Sequence, residues 1–183
     1  HASLESWTPR VYSAVLVFKD IKSTISRLTA IDTKQEAMVT NMREKVRDGI
    51  YLSEAAGVKN PVLIGTKLQK QLNANTGDEV VFIGQAADGS IANDLFTVTG
   101  IVGKNSEDAD ARLIYMTLAD AQEFLSLGNR VHEIALRLED YSKARFEAQL
   151  IQKILYNDQL DVQPWQVVEK QFYKAIKKKF ANS

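Results

Sequence analysis

Apolar and polar positions in the middle of the chain follow a helix pattern that changes into a strand pattern. Ile64, Leu68 and Leu72 recur at four-residue spacing, which places them on one face of a helix. The pair Gly77-Asp78 that comes next is typical of a turn. The run Val80–Ile83 is β-branched and aromatic, so it predicts a strand.

The first third of the chain predicts two strands and a long helix. Val11–Phe18 is an apolar run suited to a central strand, and Ile25–Ile31 alternates as a second strand does. A helix is expected from about Lys34 to Arg47, with Asp32 or Thr33 as its N-cap. The core-facing stripe of this helix is expected to consist of Met38, Met42 and Val46. Its C-cap is expected at Gly49.

The remainder of the chain predicts short strands interleaved with helices. These elements are strands at Leu95–Val102, Leu113–Met116, Val131–Leu138 and Leu160–Val168, and helices at Asp120–Leu127 and Ser142–Tyr156. The strand at Val131–Leu138 is expected to carry Ile134, Leu136 and Leu138 on one face. It is also expected to share a sheet with the strand at Val11–Phe18, because both are apolar enough to be central.

The order of these elements favours the α+β class. Strands and helices are mixed without regular alternation, which argues against a doubly wound parallel sheet. We expect a middle segment, residues 60–128, to be inserted into a unit built from residues 1–59 and residues 129–183.

Composition and charge narrow the functional classes. Lys+Arg and Asp+Glu are both 23, so the formal net charge is zero, which argues against a nucleic-acid binder that relies on bulk charge. The sequence has no cysteine, which excludes disulfides, thiolate metal sites and a cysteine nucleophile. No apolar run approaches the ~20 residues that span a bilayer, although a domain cut from a longer protein would look the same.

Residues that could carry chemistry are few. Besides His1, the only histidine is His132, for which a structural role is favoured over a metal or general-base role. The acidic run with Glu107, Asp108 and Asp110 is favoured as a solvated loop over a calcium site, because it lacks the ligand spacing of an EF-hand. The glycines form no phosphate-binding motif and the serines no nucleophile elbow. The sequence therefore predicts no enzyme and no cofactor or metal site.

Two segments are candidates for contact with partners. The first is the hairpin around the Asp88-Gly89 turn, with Gln85, Asp88, Gly89, Ile91 and Asp94 as candidate contact residues, although a plain hairpin has the same pattern. The second would meet a membrane surface, since lysines extend toward lipid headgroups and aromatic rings sit at the interface. Its candidates are Trp7, Lys174, Lys177, Lys178, Lys179 and Phe180, and a solvated helix face is the alternative.

The order of short motifs resembles one known family. The motifs are Pro9-Arg10-Val11, Ile31-Asp32, Gly49–Leu52, Val62–Leu72, Gly77–Val80, Phe96–Ile101, Leu113–Leu125 and Val162–Trp165. Together they resemble the extracytoplasmic core domain of MacB/LolC/LolE/FtsX-like ABC transporter permeases, over nearly the whole chain. Each motif is short, and their order and spacing carry the resemblance.

The resemblance implies both an architecture and a function. It implies a two-lobed periplasmic domain, with a porter-like β-α-β unit built from both chain ends and an inserted strand-rich sabre-like lobe. Such a domain is not an enzyme and has no cofactor. It transmits the motion of a cytoplasmic ABC ATPase subunit to a periplasmic substrate such as a lipoprotein. The implied partners are that ATPase, a second permease copy and a periplasmic protein, at the periplasmic side of the bacterial inner membrane.

One alternative comes from a different functional class. A free-standing periplasmic ligand- or protein-binding module is compatible with the same composition. Such a module is expected to contain a closed apolar pocket, whereas a permease domain is expected to bring its two termini to one membrane-facing end.

Overall fold

The structure, a computed structural model, describes residues 4–103, 112–157 and 159–170. The strands are β1 Leu4–Lys19, β2 Lys22–Ile31, β3 Val46–Gly49, β4 Pro61–Gly65, β5 Glu79–Gln85, β6 Ile91–Val102, β7 Leu113–Thr117 and β8 Glu133–Leu138. The helices are α1 Thr33–Val39, α2 Thr66–Leu72, α3 Leu118–Phe124, α4 Ala144–Leu155 and α5 Trp165–Val168. This mixture confirms the α+β class.

Six of the strands close into a ring. The hydrogen-bonded order is β2-β7-β4-β6-β5-β1, and β1 pairs again with β2. The pairs β2–β7 and β4–β6 are parallel, and the other pairs in the ring are antiparallel. A closed ring satisfies the backbone of each strand on both sides and leaves no long open edge. Outside the ring, β3 pairs with β6, and β8 lies beside β1. The predicted sharing of one sheet by the strands at 11–18 and 131–138 is therefore confirmed.

The inner face of the ring holds the main hydrophobic core. Side chains alternate along a strand, so every second residue points inward. Phe82 on β5 and Phe96 on β6 are both buried, and their rings stack with centroids 4.4 Å apart. The two short helices α2 and α3 supply further buried residues to this core, among them Leu68, Leu72, Ala121 and Leu125.

A second hydrophobic cluster lies on the outer face of the ring, at one end. It is formed by Ile31, Met42, Tyr51, Leu52, Leu63, Val102 and Tyr115. Met42, Tyr51 and Leu52 belong to the segment of residues 33–55, which we call the cover because it buries the outward side chains of the strands beneath it. Asp32 caps the first helix of the cover by accepting from the backbone N–H groups of Lys34 and Gln35, as the sequence predicts.

The helix predicted from Lys34 to Arg47 is much shorter in the structure. It ends at Val39, and a 3-10 turn at Met42–Lys45 and strand β3 take its place. The interruption falls at Thr40 and Asn41, which are poor helix formers. Met38 is therefore 56% exposed rather than buried.

Gly49 is a strand residue rather than a helix C-cap. Its φ is +80°, and a Cβ at this position would collide with the carbonyl oxygen of Thr99 on β6. Both its left-handed backbone and the close approach of β6 therefore require glycine.

Three other predicted features differ from the structure. Ile64 belongs to strand β4, so only Leu68 and Leu72 form the predicted helix face. Ile134 and Leu136 on β8 share a face as predicted, but that face is largely exposed. The strand predicted at Leu160–Val168 is wrong: Pro164 begins the single helical turn α5, and its carbonyl accepts from Val167 N.

The chain divides into two compact units. The larger one is Ser6–Leu136, which contains the ring and the cover. The smaller one is built from both chain ends, His1–Glu5 and Arg137–Ser183. Within the smaller unit Arg137 forms an ion pair with Glu5 at 3.0 Å, and the indole N–H of Trp165 donates to the carbonyl of Tyr141. The predicted lobe boundaries at residues 60 and 128 fall within the larger unit and stay a prediction.

Candidate functional site

The predicted contact hairpin is formed by the ends of β5 and β6. Gln85 pairs with Ile91 across the hairpin. At the turn, one oxygen of Asp88 accepts from both the backbone N–H and the hydroxyl of Ser90, at 3.0 and 2.6 Å. Gly89 follows with φ +87°, a backbone conformation that glycine adopts without strain. The Asp88-Gly89 turn is thus where the sequence places it.

The tip of this hairpin combines an exposed apolar side chain with a partly anchored base. Ile91 is 79% exposed. Ala86 and Ala92, by contrast, are buried, and the backbone N–H of Ala87 donates to the carbonyl of Leu125 at 2.8 Å. The hairpin is therefore braced against the end of α3, while its turn and Ile91 face solvent.

A cleft of about 430 Å³ lies between the hairpin and α3. On the hairpin side of the cleft, the side chain of Asn60 donates to the carboxylate of Asp94 and to the carbonyl of Leu95, at 3.2 and 2.9 Å. From α3 the cleft receives Asp120, Glu123 and Phe124.

The charges of the cleft are mainly negative. Asp94, Asp120 and Glu123 line it together with a single cation, Lys59. At the turn beside it, hydrogen bonds from Ser90 hold the pKa of Asp88 below its ordinary value. The surface around Ile91 thus places carboxylate acceptors next to exposed apolar atoms.

The sequence predicts the hairpin, but it does not predict that α3 forms the opposite side of the cleft. Asp120 is held there by the hydroxyl of Thr117, which donates to its carboxylate at 2.6 Å and accepts from its backbone N–H. The pattern Thr117-x-x-Asp120 is a helix N-terminal signature that the sequence contains. What the sequence did not contain was a signal that α3 would lie beside the hairpin.

The structure describes only some of the other residues that the sequence singles out. Trp7 is 43% exposed on β1. The remaining membrane-proximal candidates, Lys174, Lys177, Lys178, Lys179 and Phe180, lie outside the described residues, as do Glu107, Asp108 and Asp110. The Nδ1 atom of His132 accepts from the backbone N–H of Tyr12 at 2.9 Å, which agrees with the structural role expected for it.

A buried ionic network joins β1, α1 and the start of β8. Arg10 donates to both carboxylate oxygens of the buried Glu36, at 3.0 and 2.8 Å, and to Glu133 at 3.1 Å. Burial opposes the charge on Arg10, but the hydrogen bonds and charge of Glu36 outweigh it and raise the pKa of Arg10. Burial, together with the charge of Glu133, raises the pKa of Tyr12, which donates to the same carboxylate. Each charged side chain of this network has a partner of opposite charge, which indicates a structural anchor rather than a reactive site.

A second concavity lies within the smaller unit. It is an open groove of about 1140 Å³ between α4 and the segment that follows it. Ala148, Leu160, Val162 and Val167 supply apolar lining, and Arg145, Lys153 and Asp161 supply charges. Because it is open, this groove differs from the closed apolar pocket that a free-standing binding module is expected to contain.

Two features of the described residues concern metal binding and membrane crossing. Within residues 4–103, 112–157 and 159–170, three or more His, Asp or Glu side chains nowhere come together in a way that could hold a metal ion. In the same part of the chain, no helix has the length and apolar character needed to cross a membrane.

Comparison with known families defines the class of the protein. The family described as the MacB-like periplasmic core domain matches residues 2–153. Because this match covers most of the chain, the chain belongs to that family, whose members are periplasmic domains of MacB-like ABC transporter permeases. No curated protein matches the chain.

Solved structures show the same fold at low sequence identity. The periplasmic region of MacB from Actinobacillus actinomycetemcomitans aligns with a TM-score of 0.61 at 15% identity, covering 94% of this chain and 78% of that one. The extracellular domain of the noncanonic ABC-type transporter YknZ from Gram-positive bacteria aligns with a TM-score of 0.56 at 14% identity, covering 82% and 75%. At such identities the likeness concerns the fold alone.

Proposed function

We propose that this chain is a non-enzymatic periplasmic domain that couples ATP hydrolysis to the movement or release of a periplasmic substrate, such as a lipoprotein. The hydrolysis takes place in a separate cytoplasmic ATPase that works with the permease. The domain's own task is mechanical: it contacts the substrate or its carrier and moves with the rest of the permease. Family membership supports the permease assignment.

The observation that carries the contact role is the exposure of Ile91 at the braced hairpin. An isoleucine that is 79% exposed contributes little to the stability of the free domain. Because the hairpin is fixed to α3 through Ala87, Ile91 is presented at a defined position beside the acidic cleft. A rigid base with an exposed apolar tip is suited to a partner contact, since little order has to be gained on binding.

Replacing Ile91 with Asp tests this role. The melting temperature of the domain should stay nearly unchanged, because substitutions at exposed sites usually change stability by no more than about 0.5 kcal/mol. Transport or partner capture by the full-length permease should fall sharply. The matched control is Ile21→Asp, which places the same change at a fully exposed isoleucine in the β1–β2 turn and should leave transport intact.

Two results would contradict the contact role. If Ile91→Asp lowers the melting temperature by many degrees, Ile91 is a core residue. If Ile91→Asp and Ile21→Asp impair transport equally, the hairpin has no special part in it.

The membrane-proximal role of Trp7 and of Lys174–Phe180 remains part of the proposal. In this assignment both segments adjoin the transmembrane helices of the permease. The free-standing binding module stays the second candidate, although the groove beside α4 is open rather than the closed apolar pocket that such a module is expected to contain. The full-length gene product separates the two: transmembrane segments flanking this domain support the permease, and their absence supports the binding module.

A further inference from the structure

Helix α1 of the cover lies on the sheet without hydrophobic packing. The structure describes all of its residues, and Glu36 is the only one whose side chain is buried. Of its apolar residues, Ala37 and Met38 are exposed and Val39 is half-buried, and none of the three belongs to either hydrophobic cluster. A surface helix ordinarily buries an apolar stripe against the core. Helix α1 is instead held on the sheet by polar contacts.

The surface beneath α1 is a polar row on β1. The hydroxyl of Ser6 donates to the carbonyl of Met38 at 3.0 Å. Arg10 donates to both carboxylate oxygens of Glu36. Thr8 lies between Ser6 and Arg10 on the same side of the strand, because side chains alternate along it. Thr8 is fully buried, yet its hydroxyl has no hydrogen-bond partner among the described residues.

The chain is fixed on both sides of α1 by residues of the second hydrophobic cluster. Ile31 precedes the N-cap and Met42 follows the helix, and both are buried. Detachment of residues 33–40 therefore leaves these two points in place. It also leaves Arg10 with a counter-ion, because Glu133 accepts from the same guanidinium at 3.1 Å.

We propose that residues 33–40 form a latch, a short element that detaches and rebinds while the ring stays folded. In the closed state the buried ion pair adds little net stability, since the lost hydration of both ions offsets much of their attraction. In the open state water satisfies Glu36 and the hydroxyl of Thr8, whose burial without a partner is a cost of closing. A helix as short as α1 is unstable alone in water, so the detached latch also unwinds.

The latch gives the domain two states that differ in one element. Local opening of this kind is typical of segments with few buried apolar contacts. The open state exposes the polar row of Ser6, Thr8 and Arg10 and leaves the main core intact. The domain thus changes its surface on one side without unfolding. The latch can be absent while Ile91→Asp still impairs transport, so this proposal and the proposed function fail separately.

Thiol labelling of the full chain measures how often the latch opens. The chain has no cysteine, so Thr8→Cys places a single thiol beneath α1 and Val98→Cys places one in the main core. Both parent side chains are fully buried. A maleimide should modify Thr8→Cys at least about 100-fold faster than Val98→Cys, because exposure of residue 8 needs only local opening.

Low concentrations of urea distinguish local from global opening. The logarithm of an opening constant rises with urea in proportion to the surface that opening exposes. Labelling of Val98→Cys should therefore accelerate steeply below the unfolding midpoint, whereas labelling of Thr8→Cys should change little. Melts followed by circular dichroism should show that both variants fold as the parent does. If Thr8→Cys folds poorly, Ser6→Cys reports from the same row.

Removing the charge of Glu36 tests whether the ion pair holds the latch closed. In the Thr8→Cys background, Glu36→Gln should accelerate labelling by about tenfold or more, because it takes the charged partner from Arg10. Lys34→Gln is the matched control. It changes an exposed side chain of the same helix and should alter the labelling rate by less than about twofold.

Three results would overturn the proposal. Equal labelling rates with equal urea dependence for Thr8→Cys and Val98→Cys would mean that α1 leaves the sheet only when the whole domain unfolds. Labelling of Thr8→Cys as fast as that of Ile21→Cys, at a fully exposed position, would mean that α1 does not cover β1. A rate that Glu36→Gln leaves unchanged would show that the ion pair does not hold the helix in place.

Discussion

The outer face of the ring is buried at one end and exposed at the other, and strand β2 reaches both ends. Ile25 and Ile31 are the same residue type on the same strand and the same face, six residues apart. Ile31 is 1% exposed beneath the cover, while Ile25 is 75% exposed at the other end of the face, which we call the bare end. The alternation of side chains therefore fixes only the side to which each residue points. Whether an outward residue becomes core depends on a different part of the chain, residues 33–55.

The covered end depends on a buried ionic anchor, whereas the ion pair at the edge of the bare end, Lys19–Asp78, is partly exposed. Helix α1 of the cover carries Glu36, whose buried carboxylate is held by Arg10 on β1 and by the hydroxyl of Thr40. The hydroxyl of Ser6 on β1 also donates to the carbonyl of Met38 at the end of α1. These bonds tie the cover to the sheet, and they give the largest effect expected from a single substitution.

Replacing Arg10 with Ala should destabilise the domain by about 3–5 kcal/mol, because it leaves the buried carboxylate of Glu36 without its cation. The free energy of unfolding in urea measures this. Arg43→Ala is the matched control. It breaks an ion pair with Glu54 within the cover, but one whose arginine is largely exposed, and such pairs are worth about 0–1 kcal/mol. Equal losses for the two variants would show that the Arg10–Glu36 pair is not the anchor.

The two isoleucines of β2 allow a direct comparison of the ends. Ile31→Ala should cost about 2–5 kcal/mol, since it removes a fully buried side chain and leaves a cavity under the cover. Ile25→Ala should change the stability of the monomer by no more than about 0.5 kcal/mol. Urea denaturation at low protein concentration measures both. A large loss for Ile25→Ala would mean that another part of the same chain covers Ile25 in solution.

Local patterns in the sequence predicted most of the ring strands, and they failed where distant segments decide. The alternation in β2 and the apolar run of β5 place those two strands within a few residues, whereas β1 begins at Leu4 rather than Val11 and β4 was not predicted as a strand. The helix from Lys34 to Arg47 was predicted too long because Met38, Met42 and Val46 keep helical spacing across Thr40-Asn41. The break there is stabilised by β3 pairing with β6, which is a long-range contact that periodicity does not register.

In the candidate site, too, local patterns predicted some features, and long-range contacts decided the others. The Asp88-Gly89 turn and the exposed Ile91 follow from local turn chemistry. Asp120 and Glu123 lie opposite the hairpin only because α3 returns to it some thirty residues later in the chain. The closing of the ring through the β2–β7 and β1–β5 pairings, which join distant parts of the chain, was likewise outside the reach of local patterns.

The smallest expected effect concerns pH and lies at the edge of the bare end. Asp78, in the turn before β5, accepts from the backbone N–H of Asn75 at 2.7 Å and pairs with Lys19 at the end of β1 at 2.8 Å. The Asn75 hydrogen bond, followed by Lys19, holds the pKa of Asp78 below its ordinary value of 3.8. Its contribution to stability is therefore complete above the pKa of the unfolded chain, near 4, and is lost as pH falls through the lower pKa of the folded state.

Asp78→Asn isolates this contribution, because Asp88 and Asp140, whose pKa values are also lowered, are present in both proteins. At pH 6 the parent should melt above the variant by about 1–3 °C, the effect of a partly exposed ion pair on a domain of this size. Between pH 5 and pH 2 that difference should disappear, since protonated Asp78 can neither pair with Lys19 nor accept the same bonds as strongly. Thermal melts followed by circular dichroism measure it. A difference that persists at pH 2 would show that Asp78 acts through the shape of its turn rather than through its charge, and the bare end would then have no ionic tie at its edge.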